Sequence, residues 1–332
     1  MKKLLILLIC GLQMSCSGQS SKINGISFVA APQEVEQLHV SPVVKLNANY
    51  AAIMPFGFIR GADYPDIIHN TDRQWFGETK AGAKQYVEML KKSDIKVMVK
   101  PQIWISHGEF TGYLRMTSED NWKILEHSYR NFILEYAHLA QEVSAELFCI
   151  GTELEQFIVH RPNYWQVLIE DIKSVYKGKL TYAANWDEYK RVPFWNQLDY
   201  IGVDAYFPIS ESQTPSVEES KNGWEKWKDE LQSVSEKENR KILFAEFGYR
   251  SVDYAGKEPW RSEQSMTAAN HEAQSNTTKA LFEEVWEEEW FAGGFIWKWF
   301  INHGKSGGLD DSQFTPQNKP VEELIRVHYG QQ

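Results

Sequence analysis

The sequence predicts an α/β fold, a single (β/α)8 barrel of the TIM type, and three observations carry that prediction. Eight strand-like runs recur between residues 23 and 299, and helix-period segments alternate with them. Two of the runs, Leu147-Phe148-Cys149-Ile150-Gly151 and Ile242-Leu243-Phe244-Ala245, are apolar without the alternation of a half-exposed strand. Each leads into a glutamate, Glu153 and Glu246, where a strand buried on both faces would end. In a parallel α/β barrel the active face lies at those C-terminal ends.

Taken in order, the predicted strands are Ile23 to Ala30, Ala48 to Met54 and Ile95 to Lys100, the third continuing towards Gln102 and Trp104. Leu147 to Gly151, Leu180 to Ala184, Leu198 to Tyr206, Ile242 to Glu246 and Gly293 to Trp299 complete the eight. Helix-period segments run from Thr79 to Lys92, Ser118 to Val143, Asn163 to Lys177, Trp224 to Lys237 and Ala268 to Trp290. In the second of these, Trp122, Leu125, Tyr129, Phe132, Ile133, Tyr136 and Leu139 fall at three- and four-residue steps and form one apolar stripe. Ser118-Glu119-Asp120 supplies its cap and first turn. A doubly wound open sheet is the alternative, but no Gly-x-Gly-x-x-Gly follows the first strand.

The chain has 332 residues, with 35 Lys and Arg against 45 Asp and Glu, a formal net charge of -10. That balance argues against nucleic acid or an anionic lipid surface as a partner, since both select basic surfaces. No low-complexity linker or 20–50-residue repeat interrupts it, so residues 22–332 read as one catalytic domain. Residues 1–21 read as a signal peptide and polar tether. Lys2 and Lys3 precede the apolar run Leu4–Ile9, too short to span a membrane, and Cys16 precedes a polar stretch. The pattern resembles a bacterial lipoprotein signal, with Cys16 as the lipidated residue and a lipid anchor as the membrane attachment. Gln13 stands where an aliphatic residue is usual, and ordinary signal-peptidase cleavage is the alternative. The protein is then exported and held at a cell-envelope membrane. Of the other cysteines, Cys10 lies in the signal and Cys149 reads as a small buried hydrophobe, so no disulfide pair remains.

At the strand ends the side chains form a coherent set. The third strand offers Gln102 and Trp104, the fourth Thr152 and Glu153, and the fifth Asn185 and Trp186. The sixth ends in Asp204-Ala205-Tyr206, the seventh in Glu246, and the eighth in Trp297-Lys298-Trp299. Aromatic faces stack on sugar rings while amides and carboxylates bind hydroxyls. Two convergent carboxylates suffice for acid/base hydrolysis of a glycosidic bond. Either glutamate alone could equally cap the next helix. Glu155 is an alternative acid, Glu78 and Glu109 read as helix caps or cleft-lining groups, and Asp204 as a structural hydrogen-bonding group. Lys100, before a proline, reads as a snorkelling or loop-pinning cation, and His271 and Gln274 as capping or substrate contacts. The nine histidines show no His-x-His or His-Glu-x-x-His spacing, and no Gly-x-Ser-x-Gly occurs, so no metal or other cofactor is called for.

These residues resemble those of the clan A glycoside hydrolases, and more narrowly of glycoside hydrolase family 113, whose characterised activity is endo-β-1,4-mannanase. The resemblance covers nearly the whole mature chain. It is carried by Gly25-Ile26-Ser27-Phe28, Ile150-Gly151-Thr152-Glu153-Leu154, Asp199-Tyr200-Ile201-Gly202-Val203-Asp204-Ala205-Tyr206 and Phe244-Ala245-Glu246-Phe247-Gly248-Tyr249. Gly293-Gly294-Phe295-Ile296-Trp297-Lys298-Trp299 and Phe314-Thr315-Pro316-Gln317-Asn318-Lys319-Pro320 complete it. The resemblance implies a retaining enzyme with Glu153 as acid/base and Glu246 as nucleophile. It further implies Tyr206 orienting Glu246 and Trp297 flooring the cleaved sugar. Thr152 departs from the clan, where an asparagine that contacts the sugar 2-hydroxyl usually precedes the acid/base. A surface glycan-binding protein on a decayed barrel is the reading from another class, though it would have no need of both glutamates.

Overall fold

The computed structural model describes residues 22–261 and 266–331; the segment read as a signal peptide and tether, with Cys16, lies outside them. Among the described residues ten strands run in chain order: β1 Ile23–Phe28, β2 Tyr50–Ile53, β3 Phe56–Ile59, β4 Lys96–Val99, β5 Gln102–Ile105, β6 Leu147–Thr152, β7 Lys179–Asn185, β8 Tyr200–Asp204, β9 Lys241–Phe247 and β10 Phe291–Trp299. The helices are α1 Gln37–Lys45, α2 Lys80–Lys91, α3 Glu119–Glu142, α4 Glu155–His160, α5 Pro162–Val175, α6 Val217–Glu238, α7 His271–Val285 and α8 Pro320–Tyr329. Eight strands close a parallel barrel in the order β1-β10-β9-β8-β7-β6-β4-β2, with β2 returning to β1. The fold is the single (β/α)8 barrel the sequence predicts.

The third predicted strand divides at Pro101, and beyond the second, past Pro55, the chain forms a further strand, β3. Proline offers no N–H to a ladder, so β2 and β4 stop before these residues. The chains stay side by side across the break, through Lys100 N–H to Ile53 O at 2.8 Å and Gln102 N–H to Pro55 O at 2.9 Å. Beyond it β3 and β5 pair as a separate two-stranded sheet. Gln102 and Trp104 therefore belong to an extension above the barrel wall.

Two apolar layers hold the barrel. Ile23, Ala52, Met98, Leu147, Cys149, Ala183, Leu243, Ala245 and Phe295 fill its interior, while the larger cluster packs the outer strand faces against the helices. On β6, Leu147 and Cys149 face in and Phe148 and Ile150 face out, as the period of two requires. The seven-residue stripe on α3 is buried throughout, and the Ser118 hydroxyl caps the helix by accepting from Asn121 N–H at 3.2 Å. Gly293, at φ 116°, is required where β10 crosses β1: a Cβ there would stand 2.2 Å from Ile23 O.

Candidate active site

The alternation of β9 would not by itself aim Glu246 inward. Leu243 and Ala245 face the barrel interior, so a regular strand would turn the next residue out. The β8–β9 register slips by one residue between the pairs Val203–Phe244 and Asp204–Glu246. Such a bulge re-aims a side chain, and Glu246 and Asp204 end side by side over the interior. Lys100 follows Met98 at the period of two from β4 and closes the space beneath them. Its ammonium is fully buried, 2.5 Å from Glu246 Oε1 and 3.5 Å from Asp204 Oδ1.

Glu246 accepts from two further side chains. Gln102 Nε2 donates to Oε1 at 3.0 Å, and the Tyr206 hydroxyl donates to Oε2 at 2.8 Å. All three partners are donors, the arrangement a carboxylate satisfies with its lone pairs. Burial pulls the Lys100 ammonium down, but the charges of Asp204 and Glu246 outweigh that and leave it above its ordinary value. Burial raises the Asp204 carboxyl well above the usual range, with the Glu246 charge adding and Lys100 opposing.

Glu153 presents a contrast. Its carboxyl has no hydrogen-bond partner among the described residues, and burial, then the charges of Asp204 and Glu246, push it well above the usual carboxyl range. Its backbone sits in the left-handed region, at φ 50°, just past a second slip, where Cys149–Thr152 faces Thr181–Ala183. A non-glycine residue there needs support from its surroundings, and β7 provides it. Glu153 N–H donates to Ala183 O at 2.8 Å, and Leu154 N–H donates to the Tyr182 hydroxyl at 2.5 Å. That hydroxyl donates onward to Glu188 Oε1 at 2.9 Å, while Asn185 N–H donates to Glu188 Oε2 at 3.1 Å. Burial pushes the Glu188 carboxyl up to about 7.

The remaining predicted residues divide by location. Trp297 and Trp186 are half-buried and Trp104 is 47 % exposed. Among the described residues Thr152 Oγ1 and Asn185 Oδ1 are buried without a hydrogen-bond partner. Gln102 is buried and turned to Glu246. Trp299 is a correction: it is fully buried, with its ring 5.5 Å from that of His303. The β1–β10 register carries an extra β10 residue between Ile296 and Trp299, so Trp297 and Trp299 do not share a face. Lys100 is a second correction, a barrel-core cation and not a snorkelling one.

Of the alternatives, Glu155 is committed to Arg191. Glu78 and Glu109 accept from the Trp75 and Ala62 amides, both at 3.0 Å. His271 meets Leu309 O, and Gln274 donates to Tyr249 O and Phe314 O, so both are tied to the scaffold. Nothing in the sequence pointed to Tyr182 or Glu188, and Lys298 stood there only as a member of the eighth strand end. Lys298 lies beside Glu246, over the rings of Trp297 and Phe300 at 5.3 and 5.4 Å, and burial lowers it while the Glu246 charge opposes. Among the described residues no cluster of three or more His, Cys, Asp or Glu could hold a metal ion, and no helix is long and apolar enough to cross a membrane.

The family profile of Glycoside Hydrolase Family 113 matches residues 33–319. The chain belongs to this family. It is a glycoside hydrolase. Among solved structures it is similar to the family 113 β-mannanase AaManA from Alicyclobacillus acidocaldarius, in complex with ManMIm. That likeness has TM-score 0.81 at 22% identity and covers 93% of this chain and 97% of that one. A family 113 β-1,4-mannanase complex aligns with TM-score 0.80 at 19% identity, over 94% and 99% of the two chains. A β-glucuronidase from Faecalibacterium prausnitzii shares the fold at TM-score 0.62 and 15% identity, over 93% of this chain and 49% of its own. No curated protein matches the chain.

Proposed function

We propose that this family 113 enzyme hydrolyses β-1,4-linked mannan or manno-oligosaccharides with retention, using Glu246 as nucleophile and Glu153 as acid/base. The observation that carries this reading is the unequal treatment of the two glutamates. Three donors meet Glu246, whereas burial and neighbouring negative charge keep a proton on Glu153. In the first step a Glu246 oxygen bonds to the anomeric carbon as the glycosidic bond breaks. Glu153 delivers its proton to the departing oxygen. The ester removes the charge of Glu246, so Glu153 is released to act as base. It then takes a proton from water, whose oxygen bonds to the anomeric carbon and frees Glu246.

The substrate reading rests on family membership and on what the similar structures are named for. Mannose differs from glucose in an axial 2-hydroxyl, and Thr152 Oγ1 and Asn185 Oδ1 are partnerless polar atoms in segments that lead to the site. A site built to bond a hydroxyl discriminates strongly against its misplacement. Side-by-side kcat/KM on mannohexaose and cellohexaose tests this; equal values would move the substrate elsewhere without touching the two-glutamate chemistry. An NMR time course tests retention, with β-anomer expected first and α-anomer overturning it. The lipid anchor at Cys16 is proposed from the sequence alone: Cys16→Ser is expected to leave the membrane fraction, and its staying there would refute the anchor.

A further inference from the structure

The loop after β9 opens into a cavity of about 470 Å³, whose wall includes Arg250, Asp253, Tyr254, Lys257, Glu258 and Arg261. Arg250 is 7 % exposed, and its Nε and Nη2 are buried without a hydrogen-bond partner among the described residues. A buried guanidinium with nothing to bond is costly, because desolvation is uncompensated. The other charged groups around it are already engaged. Arg261 pairs with Glu258 at 3.0 Å and Lys257 with Glu211 at 2.7 Å. Asp253 accepts from Gln213 and Asn270, at 2.8 and 2.7 Å.

Lys319 is near enough to feel the Arg250 charge, which tends to lower it. Lys319 has its own counter-ion in Asp311 at 2.8 Å, with Ser251 Oγ and Gln313 O also accepting from it. Arg250 thus faces a second cation and lacks an anion of its own among the described residues. Its planar fork suits the two oxygens of a carboxylate, whereas a sugar hydroxyl would leave the charge uncompensated.

The cavity wall starts close in the chain to the candidate active site. Arg250 is four residues beyond Glu246, so their Cα atoms are at most about 14 Å apart. Trp260, beside the wall residue Arg261, stacks on Trp186 at 5.0 Å and 19° and is 39 % exposed. The volume lies within the range of small-molecule sites. We propose that this cavity is a subsite for an acidic sugar of the bound glycan, a uronate whose carboxylate pairs with Arg250. The inference rests on the glycan-hydrolase reading but not on the assignment of either glutamate.

The test compares kcat/KM for mannohexaose and for the same oligosaccharide bearing one glucuronate branch, on the wild type and on Arg250→Gln and Arg250→Lys. The wild type is expected to favour the acidic oligosaccharide by about tenfold, the scale of one charge-assisted hydrogen bond. Arg250→Gln is expected to lose that preference, and Arg250→Lys to keep part of it. Equal values on the wild type, or a preference that survives in Arg250→Gln, would overturn the subsite. Calorimetry with inorganic phosphate separates a glycan-borne carboxylate from a free anion: phosphate binding without preference for the acidic oligosaccharide also overturns it. If Arg250→Gln does not fold, the wild-type comparison at low and high salt still decides. Failure to cleave either oligosaccharide would count against the mannan reading instead, and calorimetric titration of the wild type with both oligosaccharides would then decide the subsite.

Discussion

Glu246 and Glu153 stand at the ends of β9 and β6, separated around the barrel by β7 and β8, and each follows a slip in strand register. On the Glu246 side the neighbours reach the carboxyl itself: an ammonium, an amide and a phenol, from residues near the ends of β4, β5 and β8. On the Glu153 side they reach only the backbone, through Ala183 O and the Tyr182 hydroxyl, and the carboxyl is left without a hydrogen bond. One residue type in one topological place thus receives two electrostatic characters. The difference comes from other strands, β4, β5 and β8 for Glu246 and β7 for Glu153, and not from the strand that carries each glutamate. It is also what an acid and a nucleophile need, since the first must hold a proton that the second must lack.

The sharpest way to break this contrast is Lys100→Met. Asp204 and Glu246 would then share a buried site without a cation, and loss of one partner from a buried ion pair costs about 3–5 kcal/mol. Chemical denaturation is expected to show that loss, together with activity reduced by about 10²–10³-fold as Glu246 loses its charged donor. An unaltered midpoint would mean that Lys100 is not the counter-ion.

Glu153→Gln attacks the other side. Removal of a general acid costs about 10²–10⁴-fold on a glycan, and the same variant is expected to lose less in the glycosylation step of an activated aryl glycoside, whose leaving group needs no proton. In the wild type kcat/KM is expected to fall as pH rises through the raised Glu153 value, and in the variant that limb should vanish. Persistence of the limb would assign it to another group.

Tyr206→Phe removes one donor from Glu246 and leaves Lys100 and Gln102 in place. A hydrogen bond to a charged group is worth about 1.5–3 kcal/mol, so kcat/KM is expected to drop by about 10- to 150-fold, with a loss of stability no larger than that range. A loss confined to KM would show that the phenol serves binding alone.

The last effect concerns the brace behind Glu153 and is read in stability and not in rate. The folded Glu188 carboxyl, at about 7, lies above its unfolded value near 4.5, so the folded state holds the extra proton between them. Its contribution to stability is therefore full below about pH 4.5 and lost as pH rises to 7, by about 3 kcal/mol. Melting temperature against pH is expected to slope downward through that window. Glu188→Gln, which cannot ionise, should flatten this part of the slope, and an unchanged slope would place the titration elsewhere.

The barrel was legible because its strands are long apolar runs, and each of the eight predicted segments overlaps a barrel strand. The two glutamates were legible as strand ends. The side chains around them were not, for a physical reason. Whether Trp299 faces sugar or core depends on one extra residue opposite β1, and whether Glu246 faces in depends on one slip against β8. A slip of one residue reverses every side chain beyond it, and it leaves no mark in composition or spacing. Lys100 was misread for a related reason. A lysine before a proline suggests a loop, and its burial becomes evident only when β8 and β9 bring two carboxylates over it.

Lys100 also sets the terms on which this site can change over generations. With one cation shared by two carboxylates, positions 100, 204 and 246 balance a single buried charge, and a mutation at any of them is felt by the other two. A descendant lineage can replace the lysine only if an acid is neutralised with it or another cation arrives first. The three positions should therefore be inherited as a set: a triad whose members are found together, or exchanged together, wherever this barrel is kept.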